Sequence, residues 1–158
     1  MLSKTEKAYI AGFLDGDGCV MFQLIRRKDY VHGYQVRASV VFYQKTKHRA
    51  HLEWLKKCFA CGYVRDRNDG MSEYTIVGIK PVMKTLSDLK PYLRLKKPHA
   101  ELAERIFKAL PKRFTPDRLM SIAKLVDEFR DINYSKKRRN TAATLKEFFQ
   151  PTINPRND

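Results

Sequence analysis

The stretch Tyr9-Ile10-Ala11-Gly12-Phe13-Leu14-Asp15-Gly16-Asp17-Gly18 decides how this chain folds. Just before it, Ser3 and Glu6 stand at capping-box spacing, in which a hydroxyl and a carboxylate each satisfy the other's backbone amide. A helix is predicted to open there and to run through Asp15, ended by the glycines at 16 and 18. Those glycines are expected to turn the chain sharply and to leave a carbonyl and a carboxylate pointing outward together.

Outward from this helix the pattern changes from helical to alternating. A strand is predicted over 19–25, a polar loop from Arg26 to Gly33, and a longer strand over 34–44. In its centre Gln35, Arg37 and Ser39 fall on one face and Val36, Ala38 and Val40 on the other. Thr46 is placed to cap a helix over 47–59, with Leu52, Leu55 and Phe59 as its apolar stripe. Asn68-Asp69-Gly70 joins two short strands, 62–67 and 73–78, into a hairpin. Pro81 suits the first turn of a short helix to Leu89. Helices follow from near Pro98, carrying Leu102, Ile106 and Leu110, and from Thr115-Pro116-Asp117, with Leu119, Ile122, Leu125, Val126 and Phe129 as its buried side. Ser135-Lys136-Lys137-Arg138-Arg139-Asn140 reads as a basic linker into a last helix ending near Phe149, and 151–158 as a flexible tail. The result is one α+β domain over 1–150, with two antiparallel hairpins carrying helices on one side. The uncovered face of such a sheet is polar and cationic, the natural seat of nucleic acid.

Charge narrows the partner further. Thirty-two Lys and Arg oppose 17 Asp and Glu, a formal net charge of +15 that repels itself in the folded state unless a polyanion compensates. The charge is spread along the chain, so the folded body rather than a tail is the binding surface. No stretch joins a basic face to a strongly apolar one, and no apolar run approaches the roughly 20 residues that span a bilayer, so no membrane partner is expected. The opening residues lack a signal peptide, and three cysteines are an odd number without one; an intracellular protein with no disulfide framework is predicted.

The stretch at 9–18 closely resembles the signature of the LAGLIDADG homing endonucleases. The resemblance extends through Gln44-Lys45-Thr46, Gly62-Tyr63-Val64-Arg65-Asp66-Arg67, Ile79-Lys80-Pro81 and Pro91-Tyr92-Leu93-Arg94-Leu95-Lys96, with the spacing of the single-motif branch encoded in group I introns. It implies the αββαββα fold with added C-terminal helices and a concave antiparallel saddle for DNA. No second motif copy occurs, so it also implies a homodimer whose motif helices pack together. Ala8, Ala11 and Gly12 are read as the small-residue face at that interface, with Asp15 capping the partner helix. An organelle, chloroplast or mitochondrion, is the setting the family suggests.

Carried onto this sequence, the resemblance makes Asp17 and the carbonyl of Gly16 the metal ligands, with the hard oxygen chemistry Mg²⁺ requires. Mn²⁺ is expected to substitute, Ca²⁺ to bind without supporting cleavage, and no small-molecule cofactor is expected. Metal held there activates water and stabilises the leaving oxygen. Gln44 corresponds to a solvent-positioning residue and Lys96 to a lysine that offsets transition-state charge. Where the family places an arginine, this chain has His48, leaving open whether His48 or Arg49 serves. Double-stranded DNA is expected to be read by Met21, Gln23, Ile25 and Arg27, by Gln35, Arg37, Ser39 and Val41, and by Arg65, Arg67, Glu73 and Thr75. The loop 28–32, with Lys28 and Tyr30, reaches the outer bases, and Lys136, Lys137 and Arg139 hold phosphates.

The same residues admit other readings. Asp15-Gly16-Asp17-Gly18 as a calcium loop fails because Cys19 and Arg26 occupy positions that need oxygen. His48, His51, Cys58 and Cys61 as a zinc site would have to converge from opposite ends of one helix. His51 and His99 read as surface or packing residues, Cys58 as a small buried one, and Trp54 as core. The functional alternative is a non-cleaving nucleic-acid binder or RNA maturase of the same fold.

Overall fold

The capping box forms as the spacing demands. The Glu6 amide donates to the Ser3 hydroxyl at 3.2 Å and the Ser3 amide to the Glu6 carboxylate at 2.8 Å. A computed structural model describes residues 1–134 and 137–150; the predicted tail at 151–158 and Ser135 and Lys136 of the linker lie outside them. The elements run α1 (Lys4–Asp17), β1 (Gly18–Arg26), β2 (Tyr34–Lys45), α2 (Arg49–Phe59), β3 (Tyr63–Asp66) and β4 (Met71–Val77). Then follow α3 (Ile79–Leu89), α4 (Lys97–Ala109), α5 (Pro116–Asp127), α6 (Phe129–Ile132) and α7 (Ala142–Phe149), with 3-10 turns at Thr46–His48 and Lys90–Tyr92. Among the described residues no helix is long and apolar enough to cross a membrane.

α1 runs further than expected, through Gly16 to Asp17, and Gly18 caps it in extended conformation (φ −119°, ψ 173°). Neither glycine takes a positive φ, so their expected role in a sharp turn is not what the backbone uses. Gly18 supplies room instead: a Cβ there would lie 2.5 Å from Leu14 Cδ1 and 2.8 Å from the Leu14 carbonyl oxygen. The helix passes directly into β1, carrying Asp17 to the start of the sheet.

The sheet order is β1-β2-β4-β3, every neighbouring pair antiparallel. Val20, Phe22 and Leu24, then Ala38, Val40 and Phe42, then Tyr74 and Ile76 face the helices and are buried with Ile10, Leu14, Leu52, Leu55, Leu86 and Leu89 in one core. The Asn68-Asp69-Gly70 turn forms as predicted, with Gly70 at φ +77° and the Met71 amide on Asp69 Oδ1 at 3.2 Å. The helix expected to reach Phe129 breaks at Glu128 into α5 and α6. Phe129 is then buried and stacked on Phe22, ring centroids 5.2 Å apart.

β1 is an edge strand whose carbonyls would otherwise lie open. The linker closes that edge: Arg138 donates to the Phe22 carbonyl at 2.9 Å and the Asn140 amide to the Leu24 carbonyl at 2.9 Å. Lys137 and Arg139 alternate outward into solvent.

Candidate active site and nucleic-acid interface

The open end of α1 gathers negative charge. A helix C-terminus carries a partial negative charge from its unpaired carbonyls, and no basic residue lies in the last turn of α1 to offset it. Asp17 adds an exposed carboxylate there, and among the described residues no hydrogen bond or ion pair engages it. Lys96 supplies the nearby cation. Its ammonium is buried and donates to the Asp15 carbonyl at 2.8 Å. Burial pushes the Lys96 pKa below the ordinary lysine value, while Asp15, Cys19 and Asp17 pull it back up.

Asp15 departs from its expected role. Its carboxylate accepts from the Arg94 amide at 2.7 Å and from the Lys96 amide at 2.8 Å, both in its own chain. It therefore caps the turn before α4, rather than a partner's helix, and ties Lys96 to the end of α1.

β1 and β2 bring Gln44 to the same corner. Gly18 pairs with Phe42, so Asp17 and Gln44 both lie just beyond the end of the β1–β2 ladder, while Gln44 still pairs with Ser72 of β4. Gln44 Oε1 accepts from the Lys45 amide at 2.9 Å, which leaves its amide nitrogen for solvent. The pair left open by sequence separates here. Arg49 is drawn toward the edge of the sheet by Asp66 and by Glu53, the latter at 2.9 Å, whereas His48 is exposed at the end of its 3-10 turn.

The small-residue face of α1 is also shifted. Ala11 is fully buried under its own sheet and has no surface to offer a second helix, correcting its place at the interface. The exposed stripe is Ala8, Gly12 and Gly16, each four residues from the next. A Cβ added at Gly12 or Gly16 would meet nothing within 4 Å. Beside the stripe Tyr9, His51 and Trp54 form an edge of rings, Tyr9 to His51 at 5.6 Å and His51 to Trp54 at 5.2 Å. Trp54 is half-buried in this surface cluster instead of lying in the core, and Cys58 is likewise only partly buried.

The sheet face opposite the core carries the predicted reading residues in register. Ile25 pairs with Gln35, Gln23 with Arg37 and Met21 with Ser39. Four expected contacts are nevertheless too deep: Ser39, Val41, Glu73 and Thr75 are each no more than 8% exposed. They lie at the middle of the sheet, overhung by longer side chains on neighbouring strands, so they form its floor. The longer side chains around them are what this face presents to solvent. Three arginines on this face are pre-oriented by carboxylates: Arg65 by Glu73 at 2.6 Å, Arg67 by Asp69 at 2.7 Å, Arg27 by Asp29 at 2.8 Å. Hydrogen bonding from Arg27 holds the Asp29 carboxyl at about 2. Tyr43 belongs to this face and was missed; continuing the alternation past Val41 finds it. It lines a cleft of about 440 Å³ with Gly18, Gln23, Lys96 and Lys137, which joins the reading face to the end of α1. Of the three predicted phosphate-holding residues, Lys137 and Arg139 are exposed and Lys136 lies outside the described residues.

His99, one turn beyond Lys96, is a packing residue. Its Nε2 meets Asn133 Oδ1 at 3.1 Å, and its buried Nδ1 has no partner. Burial lowers its pKa from 6.5, so below that pH the unfolded chain binds a proton the folded one resists, and stability falls as the solution is acidified. His99→Gln should flatten that part of the curve: the wild-type loss of thermal midpoint between about pH 7.5 and 5 should shrink in the variant. Equal slopes in the two proteins would rule this out. Among the described residues no group of three or more His, Cys, Asp or Glu is arranged to hold a metal, and the four residues weighed for zinc lie toward the two ends of α2.

Comparison with known proteins gives concordant results. The family model described as LAGLIDADG endonuclease matches residues 10–101. The chain is 42% identical over 140 residues to the DNA endonuclease I-CvuI of Chlorella vulgaris, covering 89% of this chain and 87% of that one. It is 35% identical over 139 residues to the DNA endonuclease I-CreI of Chlamydomonas reinhardtii, covering 87% and 85%. The crystal structure of the homing endonuclease I-CvuI with the I-CreI target, magnesium and uncleaved DNA matches with a TM-score of 0.87 at 41% identity, over 92% of each chain. I-CvuI with its own target and calcium gives 0.85 at 41% identity, over 90% of this chain and 91% of that one.

Proposed function

The chain belongs to the LAGLIDADG endonuclease family, and on that premise we propose that it is a homing endonuclease, a homodimer that cuts both strands of a long, nearly palindromic DNA target. Cleavage is across the minor groove, needs Mg²⁺ and leaves short 3′ overhangs. The observation that carries this reading is the exposed carboxylate of Asp17 at the C-terminal end of α1, one residue past the open Ala8–Gly12–Gly16 stripe.

The stripe explains why two copies are needed. Glycine and alanine four residues apart let two helices approach backbone to backbone, and crossing there brings two Asp17 carboxylates together. One copy offers a single carboxylate and the Gly16 carbonyl, part of the oxygen set that a hard cation takes from carboxylates, substrate phosphate and water. The second copy and the phosphodiester make up the set. Asp17 and the Gly16 carbonyl would hold Mg²⁺, which when bound would supply polarisation of the phosphate and activation of water. Mn²⁺ serves in its place, and Ca²⁺ holds the complex uncut.

Each protein residue then has a distinct task. Asp17 and Gly16 bind and orient the cation. The Gln44 amide orients water beside the phosphate, and the exposed His48 or Arg49, the latter held by Asp66 and Glu53, takes the place of the family's arginine. The Lys96 ammonium, held by the Asp15 carbonyl, stabilises negative charge as it develops on phosphate oxygens. Gln23, Arg37, Gln35, Arg65 and Arg67 read base edges, arginine favouring guanine and glutamine adenine. Lys137 and Arg139 grip phosphates without reading sequence.

The rival with the same fold is an RNA maturase. Incubation with intronless target DNA and Mg²⁺ separates the two: the endonuclease linearises a target plasmid, whereas a maturase binds intron RNA and leaves the duplex whole.

A further inference from the structure

The loop 27–33 between β1 and β2 lies at the end of the sheet away from Asp17, and its base is held from two sides. On one side stands Phe148 of α7. The guanidinium carbon of Arg26 lies 4.3 Å from the Phe148 ring centroid and 5.4 Å from that of Tyr34. Phe148 and Tyr34 meet edge to face at 5.4 Å, and Arg26 donates to the Tyr34 hydroxyl at 3.4 Å. Gly33, at φ +70°, leaves room where a Cβ would stand 2.9 Å from Phe148 Cζ. On the other side the His32 ring meets the Phe114 carbonyl at 3.0 Å. The loop closes on itself through the Arg27 amide on the Gly33 carbonyl at 2.9 Å and the Gly33 amide on the Tyr30 carbonyl at 2.8 Å.

Phe148 is 41% exposed, so it adds little to the core. Its contacts with the loop base are on residues 114 to 122 positions earlier in the chain, while Arg27, Lys28 and Tyr30 stay exposed. We propose that Phe148 is a positioning residue for sequence reading, fixing the loop over the outer base pairs of the target. This rests on the reading above that the loop tip contacts those bases. A loop already held in its bound position loses less freedom on binding, and its side chains discriminate from one pose rather than an average of several.

The test is the base preference at each target position, obtained by sequencing products cut from a randomised duplex pool. Phe148→Ala and Gly33→Ala attack the contact from its two sides. Both should lower discrimination at the outer positions by about tenfold, within the range one base contact supplies. Inner positions and the cleavage rate at saturating enzyme should stay as in wild type, and Phe148→Tyr should restore the outer preference. Thermal unfolding of each variant checks that the fold is kept. Tyr30→Ala and Lys28→Ala control for the loop itself. If these tip variants change outer preference but Phe148→Ala and Gly33→Ala do not, or if the latter reduce all positions alike, the positioning role is overturned. If the tip variants change nothing, the loop does not read bases, and the proposal falls with that reading.

Discussion

Replacing Asp17 with asparagine is expected to abolish strand cleavage and leave DNA binding intact. The substitution keeps the shape of the side chain and removes its charge, so packing around α1 should hold; the residue is exposed, and among the described residues nothing hydrogen-bonds to it. What is lost is the anionic oxygen pair at the end of α1, and an amide places an N–H where a cation must approach. Single-turnover cleavage in Mg²⁺ should fall by about 10³-fold or more, the upper range for losing one preorganised electrostatic group. Binding measured in Ca²⁺ should be unchanged or slightly tighter, because one negative charge per copy is removed from a surface that meets phosphates. Cleavage within about tenfold of wild type would sink the metal-binding role, since an electrostatic contribution that small matches no direct ligand.

Much of the site was legible because its signals are local. The Ser3–Glu6 box, the alternation in β1 and β2 and the Asn68-Asp69-Gly70 turn each act over a few residues, and each formed where the spacing placed it. What could not be read depends on residues distant in the chain. Ala11 and Gly12 sit side by side on a helix, and which of them faces inward depends on where the sheet packs. Alternation assigns Ser39, Val41 and Thr75 to the open face correctly, but their depth is set by neighbours across three strands. Asp15 reads as a cap for a partner helix until Arg94 and Lys96 fold back onto it, 79 and 81 positions later. The use of Arg138 and Asn140 to close the β1 edge spans 116 positions, beyond any spacing rule.

Gly12→Leu should separate assembly from folding. In the single chain the position is exposed and a Cβ meets nothing, so the substitution has no clash to create. Leucine is also the better helix former, by roughly 0.5–1 kcal/mol over glycine, so the isolated protomer should be no less stable. Between two α1 helices the same side chain would hold the backbones apart, at the point where close approach brings two Asp17 carboxylates to one phosphate. The expected result is a folded protein that sediments as a monomer at micromolar concentration and cuts no duplex. Its thermal midpoint should also lose the rise with concentration that coupled folding and association produce. Ala11→Leu, one residue away, is the contrast: that side chain points into the protein's own core, and the added volume should cost about 1–3 kcal/mol of stability through overpacking. A dimeric, active Gly12→Leu protein would mean that the stripe is not where two copies meet, and the paired-carboxylate site would have to be given up with it.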